Sequence, residues 1–297
     1  MGIDKNSNSQ NKPKVNSKLR QRKIQTWVRA TIQLIFFILF PSVFTAAFNG
    51  IKYIFTQIGA GNQVEFTSFV TVLAVICIYT IIFGRFFCGF ACAFGSFGDA
   101  VRAIYVWCCK KLKKKPVSIP ENIAKGMSYI KYVIVIAIAL LCYMGAYSKL
   151  KGTSPWDVFS MLRAGNFKIA SYVTGLIFLL VIIAGMCVQE RFFCRFLCPM
   201  GAVFSLLPIL PFFTLHRDRS NCIKGCSACG RICPCDIGLP EDGSTKIAGD
   251  CFQCQKCNAI CPKTNIHTGI NGLRGNEIWF TIARAVILIA ICVLLGI

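Results

Sequence analysis

Five stretches of the chain carry few charges, and polar, mostly basic segments separate them: Trp27–Ala47, Phe66–Gly84, Ile130–Tyr147, Tyr172–Val188 and Ile278–Ile297. A helix that crosses a bilayer needs about 20 apolar residues, with a range of about 17–25. The pattern therefore predicts five transmembrane helices. The third and fourth are nearer the short limit, but Val133–Leu141 and Leu176–Ala184 are almost purely aliphatic. The first stretch is too long for a removable signal peptide, and no small-residue cleavage site follows it. Arg284 stands inside the last stretch, with Glu277 as the nearest acid. A charged residue there is a functional candidate, and it either snorkels to an interface or faces the protein interior.

Composition agrees with a membrane protein. Of 297 residues, 55% are hydrophobic, and the mean hydropathy is +0.59, too apolar for an ordinary soluble domain of this size. The net charge of +21 reads as topology rather than nucleic-acid binding, because the basic residues are confined to particular loops. Residues 1–29 hold eight Lys/Arg, residues 85–131 hold nine and residues 190–277 hold ten, whereas 49–66 hold one and 146–170 hold four. This bias places the N-terminus, the 85–131 loop and the 190–277 region in the cytoplasm, with the C-terminus outside. The run Lys110–Lys115 reads as an anchor to anionic head groups, with a partner-binding role as the alternative.

An internal repeat organises the membrane part. Residues 85–95 read RFFCGFACAFG and residues 191–201 read RFFCRFLCPMG, identical at seven of eleven positions at an offset of 106. Each copy follows an even-numbered apolar stretch. The two halves are therefore expected to be parallel and related by a pseudo-twofold axis along the membrane normal. Cys88 and Cys92 lie four apart, as do Cys194 and Cys198, so each pair shares one face if its segment is helical. The axis would gather all four thiols into one site for a [2Fe–2S] or [4Fe–4S] cluster or a zinc ion, with small core cysteines as the bland alternative. After the motifs, Phe97–Cys109 reads as an interfacial helix. Phe204–Phe213 holds Pro208 and Pro211 and is too short to span. Cys108 and Cys109 are read as interfacial packing.

Nineteen cysteines demand a further account. Cys251-x2-Cys254-x2-Cys257-x3-Cys261-Pro262 is the ligand rhythm of a bacterial iron–sulfur cubane, and Cys222-x3-Cys226-x2-Cys229-x3-Cys233-Pro234 precedes it. In such pairs the fourth cysteine of each run ligates the other cluster. That gives cluster one to Cys222, Cys226, Cys229 and Cys261, and cluster two to Cys251, Cys254, Cys257 and Cys233. In the first run Gly225 stands where the second cysteine normally falls, an insertion that a loop can absorb. Cys235 is a spare that could replace Cys233. The spacing and the reducing side argue against disulfides, and the rhythm is not that of a zinc finger. His216 and His267 flank this module and are read as surface or interfacial residues, with a proton relay or metal ligation as the alternative.

Together these features predict an all-α integral membrane protein with a small cytoplasmic two-[4Fe–4S] ferredoxin domain inserted before the last helix. The parts are a basic tail 1–26, a first membrane half 27–109, a basic linker 110–127, a second half 128–213, the ferredoxin domain 214–270 and a final helix 271–297. The paired Cys-x3-Cys motifs, the second ending in Cys198-Pro199, and the double cluster motif make the chain resemble the membrane polyferredoxin family that includes NapH, NosR and YccM proteins. Ala93, not proline, follows Cys92, and the outer flavin-binding domain of NosR-like members is absent. The resemblance implies a bacterial cytoplasmic-membrane protein that carries electrons between a ferredoxin-like or quinol donor and an extracytoplasmic flavoprotein or cytochrome. It would be an electron-transfer subunit with no substrate chemistry of its own. A quinol dehydrogenase or a reductase of a metal ion such as copper is the alternative, as is a redox-sensing or assembly factor. The loops Asn49–Glu65 and Ala146–Ala170 would meet the outer partner, with Trp156 as a contact or an interfacial anchor.

Overall fold

Pro41 divides the first apolar run. In the computed structural model, which describes residues 12–147, 153–163, 165, 172–210, 213–239, 249–263, 265–268 and 277–296, helix α1 (Lys12–Leu39) stops just before it and α2 (Val43–Gly59) starts just after. Proline has no N–H to give a helix and disfavours helical backbone in the residue before it. The axes of Lys23–Leu39 and Val43–Gly59 differ by 61° as a result. Helix α2 buries Val43, Phe44, Ala47, Phe48 and Ile51, the spacing of one helical face, against α3 (Ser68–Phe83) and α6 (Ile130–Tyr143). The segment Asn49–Glu65, expected as an outer loop, is thus helical as far as Gly59. The polar residues on its other face hid that helix from a reading by apolar runs. Helix α1 likewise reaches back to Lys12, into the stretch read as a tail.

Among the described residues, two helices are long and apolar enough to cross a membrane: the nearly continuous α5 (Glu121–Met127) and α6, and α12 (Glu277–Leu294). The bent α1–α2 pair makes a third if counted as one broken span. Helices α3 and α8 (Val173–Val188) are apolar but have 16 residues each. At ~1.5 Å per residue each reaches ~24 Å, short of a ~30 Å hydrocarbon core.

The two motif copies fold alike. Each makes one π-helical turn, π1 (Phe87–Ala91) and π2 (Phe193–Leu197). These turns are closed by Cys92 N–H donating to Phe87 O and Cys198 N–H to Phe193 O, both at 2.9 Å. Cys92 and Cys198 are then extended (ψ 115° and 114°) and cap α4 (Ala93–Lys111) and α9 (Pro199–Leu206). The paired cysteines therefore do not lie on one α-helical face; a wider turn and an extended residue part them. Helix α1 packs on π1 and α4, α6 packs on π2 and α9, and α4 crosses to α8. The π-helical form fits a local strain placed at a functional position.

Trp156, on α7 (Pro155–Arg163), is 7% exposed and sits edge-on to Phe48 with ring centres 5.0 Å apart. It is a core residue rather than a docking contact or interfacial anchor. Much of the loop 146–170 lies outside the described residues. The cysteine-rich module begins and ends in a two-stranded antiparallel sheet, β1 (Leu215–Arg217) and β2 (Ile266–Thr268), in which His216 stands opposite His267. Both histidines are buried, not on the surface. Short helices α10 (Ala228–Arg231) and α11 (Lys256–Ile260) lie between the strands. Arg284 faces inward: its Nη1 donates to Gln253 Oε1 at 2.6 Å and its guanidinium lies 5.0 Å from the Phe86 ring centre.

The α2–α3 crossing needs Gly50, because a Cβ there would lie 2.5 Å from the Phe69 carbonyl oxygen. Gly50→Val should destabilise the membrane part by about 1–3 kcal/mol through overpacking. The check is the thermal unfolding midpoint in detergent, which should fall well below that of the unmodified protein.

Candidate iron–sulfur sites

Two cavities open inside the ferredoxin module, and cysteines line both. The smaller, about 20 Å³, is bordered by Cys222, Cys226, Cys229 and Cys261 together with Arg217 and Asn265. The larger, about 60 Å³, is bordered by Cys229, Cys233, Cys235, Cys251, Cys254 and Cys257. All eight cysteines expected from spacing line one or other cavity, and Cys229 lines both. Gly225, the residue at the insertion in the first run, has a φ of +74°, which glycine adopts without strain. Among the described residues, no three His, Cys, Asp or Glu side chains close on a single ion.

N–H groups already point at several of these sulfurs. Arg217 Nε donates to Cys222 Sγ at 3.3 Å, and this bond holds the Cys222 thiol below its ordinary value. Gln253 N–H reaches Cys251 Sγ and Asn265 N–H reaches Cys261 Sγ, both at 3.4 Å. Such bonds favour the thiolate, the form that ligates metal. Cys233 is held down to about 6, chiefly by a hydrogen bond from the Cys235 thiol. Burial pushes Cys235 up, and its Sγ also lies 3.2 Å from the Asp250 carbonyl oxygen. Both Cys233 and Cys235 border the larger cavity.

The four membrane cysteines come together. Cys88, Cys92, Cys194 and Cys198 are each 7% exposed or less, and every pair among them is close enough to interact electrostatically. Phe87, Phe90, Phe94, Phe193 and Phe204 are buried in the same core cluster and keep water out. The other predicted candidates lie elsewhere: Cys109 is buried on α4, and Cys108 is partly exposed.

Two arginines complete this centre, and they cross over. Arg191, from the second copy, donates to the carbonyl oxygens of Cys88 and Gly89 in the first. Arg85, from the first copy, sets its Nη2 3.0 Å from where a Cβ of Gly201 would be, beside the Cys194 carbonyl oxygen. Both are 1% exposed. Arg191 is paired with Asp99, its Nε donating at 2.8 Å, and Arg29 joins the same carboxylate at 2.6 Å. Arg85 pairs with Asp250 of the ferredoxin module at 3.1 Å, while its Nε and Nη2 find no partner in the structure. The Nη2, beside Gly201 at the start of α9, suits an anionic group nearby. The repeat marked both arginines as identical positions, but spacing alone carried no sign of the crossover.

A ferredoxin-type iron–sulfur protein with a second group of buried cysteines is the class that this arrangement defines. The family model described as a 4Fe-4S binding domain matches residues 65–115 and 173–210. Each segment encloses one Cys-x3-Cys pair, and neither reaches the ferredoxin module. An uncharacterized protein of Methanocaldococcus jannaschii, MJ0750, is 30% identical over 246 residues, covering 81% of this chain and 94% of its own. The putative electron transport protein YccM of Escherichia coli is 24% identical over 64% of this chain and 52% of its own. The ferredoxin-type protein NapH of Haemophilus influenzae is 23% identical over 63% of each chain. No solved structure matches. The chain belongs to the family of ferredoxin-type 4Fe–4S membrane proteins that includes NapH, NosR and YccM, and it is an electron-transport protein with candidate transmembrane helices.

Asp99→Asn should leave Arg191 and Arg29 short of their shared carboxylate, a loss of about 3–5 kcal/mol for breaking a buried pair from one side. Glu121→Gln, which breaks the Lys125–Glu121 pair whose side chains are each 61% exposed, should leave the midpoint nearly unchanged, because water screens such a pair. Thermal midpoints of the two variants in detergent check the contrast.

Proposed function

We propose that this protein carries electrons through a membrane-bound iron–sulfur relay, between a cytoplasmic ferredoxin-like or quinol donor and an extracytoplasmic flavoprotein or cytochrome. The observation that carries this reading is a contact: the Phe252 carbonyl oxygen would lie 2.2 Å from a Cβ on Gly89. It joins the Cys251-Phe252-Gln253-Cys254 loop to the Cys88–Cys92 turn. The ferredoxin module and the four-cysteine site are therefore in direct contact, with no solvent gap at that point.

In this reading Cys222, Cys226, Cys229 and Cys261 hold one [4Fe–4S] cluster, and Cys251, Cys254, Cys257 and Cys233 hold a second. Cys88, Cys92, Cys194 and Cys198 hold a third, of [4Fe–4S] or [2Fe–2S] type, supported by the match of the 4Fe-4S domain to those two segments. A bound cluster takes up and gives up one electron at a time. The protein's own part is to supply thiolates, exclude water with its phenylalanines and compensate negative charge with Arg85 and Arg191. We assign five spans in two parallel halves, with α3 and α8 accommodated by local bilayer thinning. The tail 1–26, the linker 110–127 and the ferredoxin domain 214–270 face the cytoplasm of a bacterial cell, and the C-terminus faces outside. The division near 270 falls outside the described residues.

One observation favours a second reading, direct oxidation of a quinol by this chain. A cavity of about 90 Å³, bordered by Arg29, Phe90, Cys254, Gln255 and Thr281, is flanked by two donors without partners, Arg29 Nε and Gln255 Nε2. These would suit the oxygens of a two-electron, two-proton carrier. Reduction of the clusters by a short-chain quinol, with no other protein present, tests it; no reduction sinks this second reading alone.

Iron and acid-labile sulfide per chain in anaerobically purified protein test the relay. Roughly two to four irons above the roughly eight of two cubanes are expected, lost in Cys88→Ala/Cys194→Ala. About eight irons in both proteins would confine the chemistry to the ferredoxin module. Cys233→Ser should remove a [4Fe–4S] signal from the electron paramagnetic resonance spectrum of the reduced protein, whereas Cys235→Ser should keep it.

A further inference from the structure

The two halves handle their buried cations in the same way but do not draw on the same acids. In the first half, the crossing arginine (Arg191) and a cation from the half's first helix (Arg29) meet on Asp99 of α4. In the second half, the crossing arginine (Arg85) and Lys131 of α6 also meet on one carboxylate. The repeat offset puts Ser205 where Asp99 stands in the first half. Ser205 cannot supply the charge. Its hydroxyl instead hydrogen-bonds Tyr132, at 2.9 Å. The carboxylate comes from Asp250, one residue before the first cysteine of the second cluster motif. A Cβ on neighbouring Gly249 would lie 2.9 Å from the Ser205 carbonyl oxygen, so the ferredoxin loop sits on the very position that lacks the acid.

The same loop is held at two more places where the repeat is used. Phe252 is 2% exposed and lies between the crossing arginines, 4.8 Å from Arg85 and 5.7 Å from Arg191. Gly89 in the first motif leaves room for the Phe252 carbonyl. Its repeat counterpart in the second motif is Arg195, which reaches the other cluster run. There it donates to the Pro234 carbonyl oxygen at 3.0 Å and to Asp236 at 2.7 Å. At two positions that differ between the copies, Gly89/Arg195 and Asp99/Ser205, Gly89, Arg195 and Ser205 thus lie against the ferredoxin module, alongside the shared Arg85.

We propose that Asp250 is an ionic key: it takes the place of a carboxylate missing from the second membrane half, and so seats the second cluster loop on the four-cysteine site. Arg85 and Lys131 are 1% and 2% exposed. Two cations so deeply buried need a counter-charge, and the membrane half finds it by holding the ferredoxin module in place. Asp250 is a positioning residue for the relay and touches no reacting atom. The proposal rests on the relay reading for its purpose, but the docking itself can be measured without it.

The test compares Asp250→Asn with Asp250→Asn/Ser205→Asp in full-length protein, by hydrogen exchange of residues 249–255, thermal midpoint and iron content. The single variant should exchange at least tenfold faster in this segment and melt lower. In the double variant the new carboxylate answers Arg85 and Lys131 from within the membrane half. The melting point should recover while exchange stays fast, because the key no longer belongs to the ferredoxin module. Asp250→Glu should keep slow exchange. Exchange unchanged in Asp250→Asn would overturn the proposal. So would a double variant that regains both stability and slow exchange, since Asp250 would then only balance charge. If unmodified protein holds no iron beyond two cubanes, the relay reading fails and the exchange result still decides the key. If the variants keep their iron but reduction of the third cluster slows together with faster exchange, both stand.

Discussion

Burying positive charge where acids are scarce is the constraint on which this structure turns. Arg85, Arg191, Arg284, Lys131 and Arg195 are all 5% exposed or less, in a chain with 33 basic and 12 acidic residues. An unpaired ion in such surroundings is costly, so each cation must find a carboxylate, a carbonyl or a ring face. Asp99 serves one of them together with Arg29, Asp250 serves two and Asp236 one. Arg284 is left with Gln253, a backbone carbonyl and Phe86. Because few acids are shared among many cations, the partners must come from distant parts of the chain. Those long-range pairs tie the cysteine-rich module, both membrane halves and the last helix into one body.

Much of the cysteine chemistry was legible before any coordinates. Ligand spacing is local, so the two ferredoxin runs declare themselves, and all eight of their cysteines line the two cavities. The repeat was legible because both copies keep Arg, Phe and Cys in register. What spacing does not carry is long-range. The first apolar run is one stretch in composition and two helices in space, because Pro41 outweighs the hydrophobicity around it. The motifs read as helix-forming, and a wider π turn forms instead. Trp156 looked exposed because its neighbours in sequence are polar, whereas its neighbours in space, Phe44, Phe48 and Phe193, are not. The histidines looked peripheral because they bound the module, but they are paired in its only sheet among the described residues.

Duplication explains the symmetric parts, and divergence explains the rest. Two like halves make a site on their axis, but the module that rests on that site has no such symmetry. The halves differ where they meet it, with glycine on one side and arginine on the other. The halves differ through a few side chains, while both copies keep the π turn and nearly the same backbone angles at Cys92 and Cys198.

The π turns have an effect beyond the placing of four sulfurs. Each ends in an extended cysteine that begins a helix, so α4 and α9 both start at the same centre. The first N–H groups of a helix have no partner inside it, and its start carries roughly +0.5 of an elementary charge. At one of these starts the Gly201 N–H already donates to Cys198 Sγ at 3.2 Å. Whatever lies between the four thiols is faced by two helix dipoles as well as two guanidinium groups. The backbone itself thus makes the centre an anion trap, and this part of the electrostatics would survive replacement of either arginine.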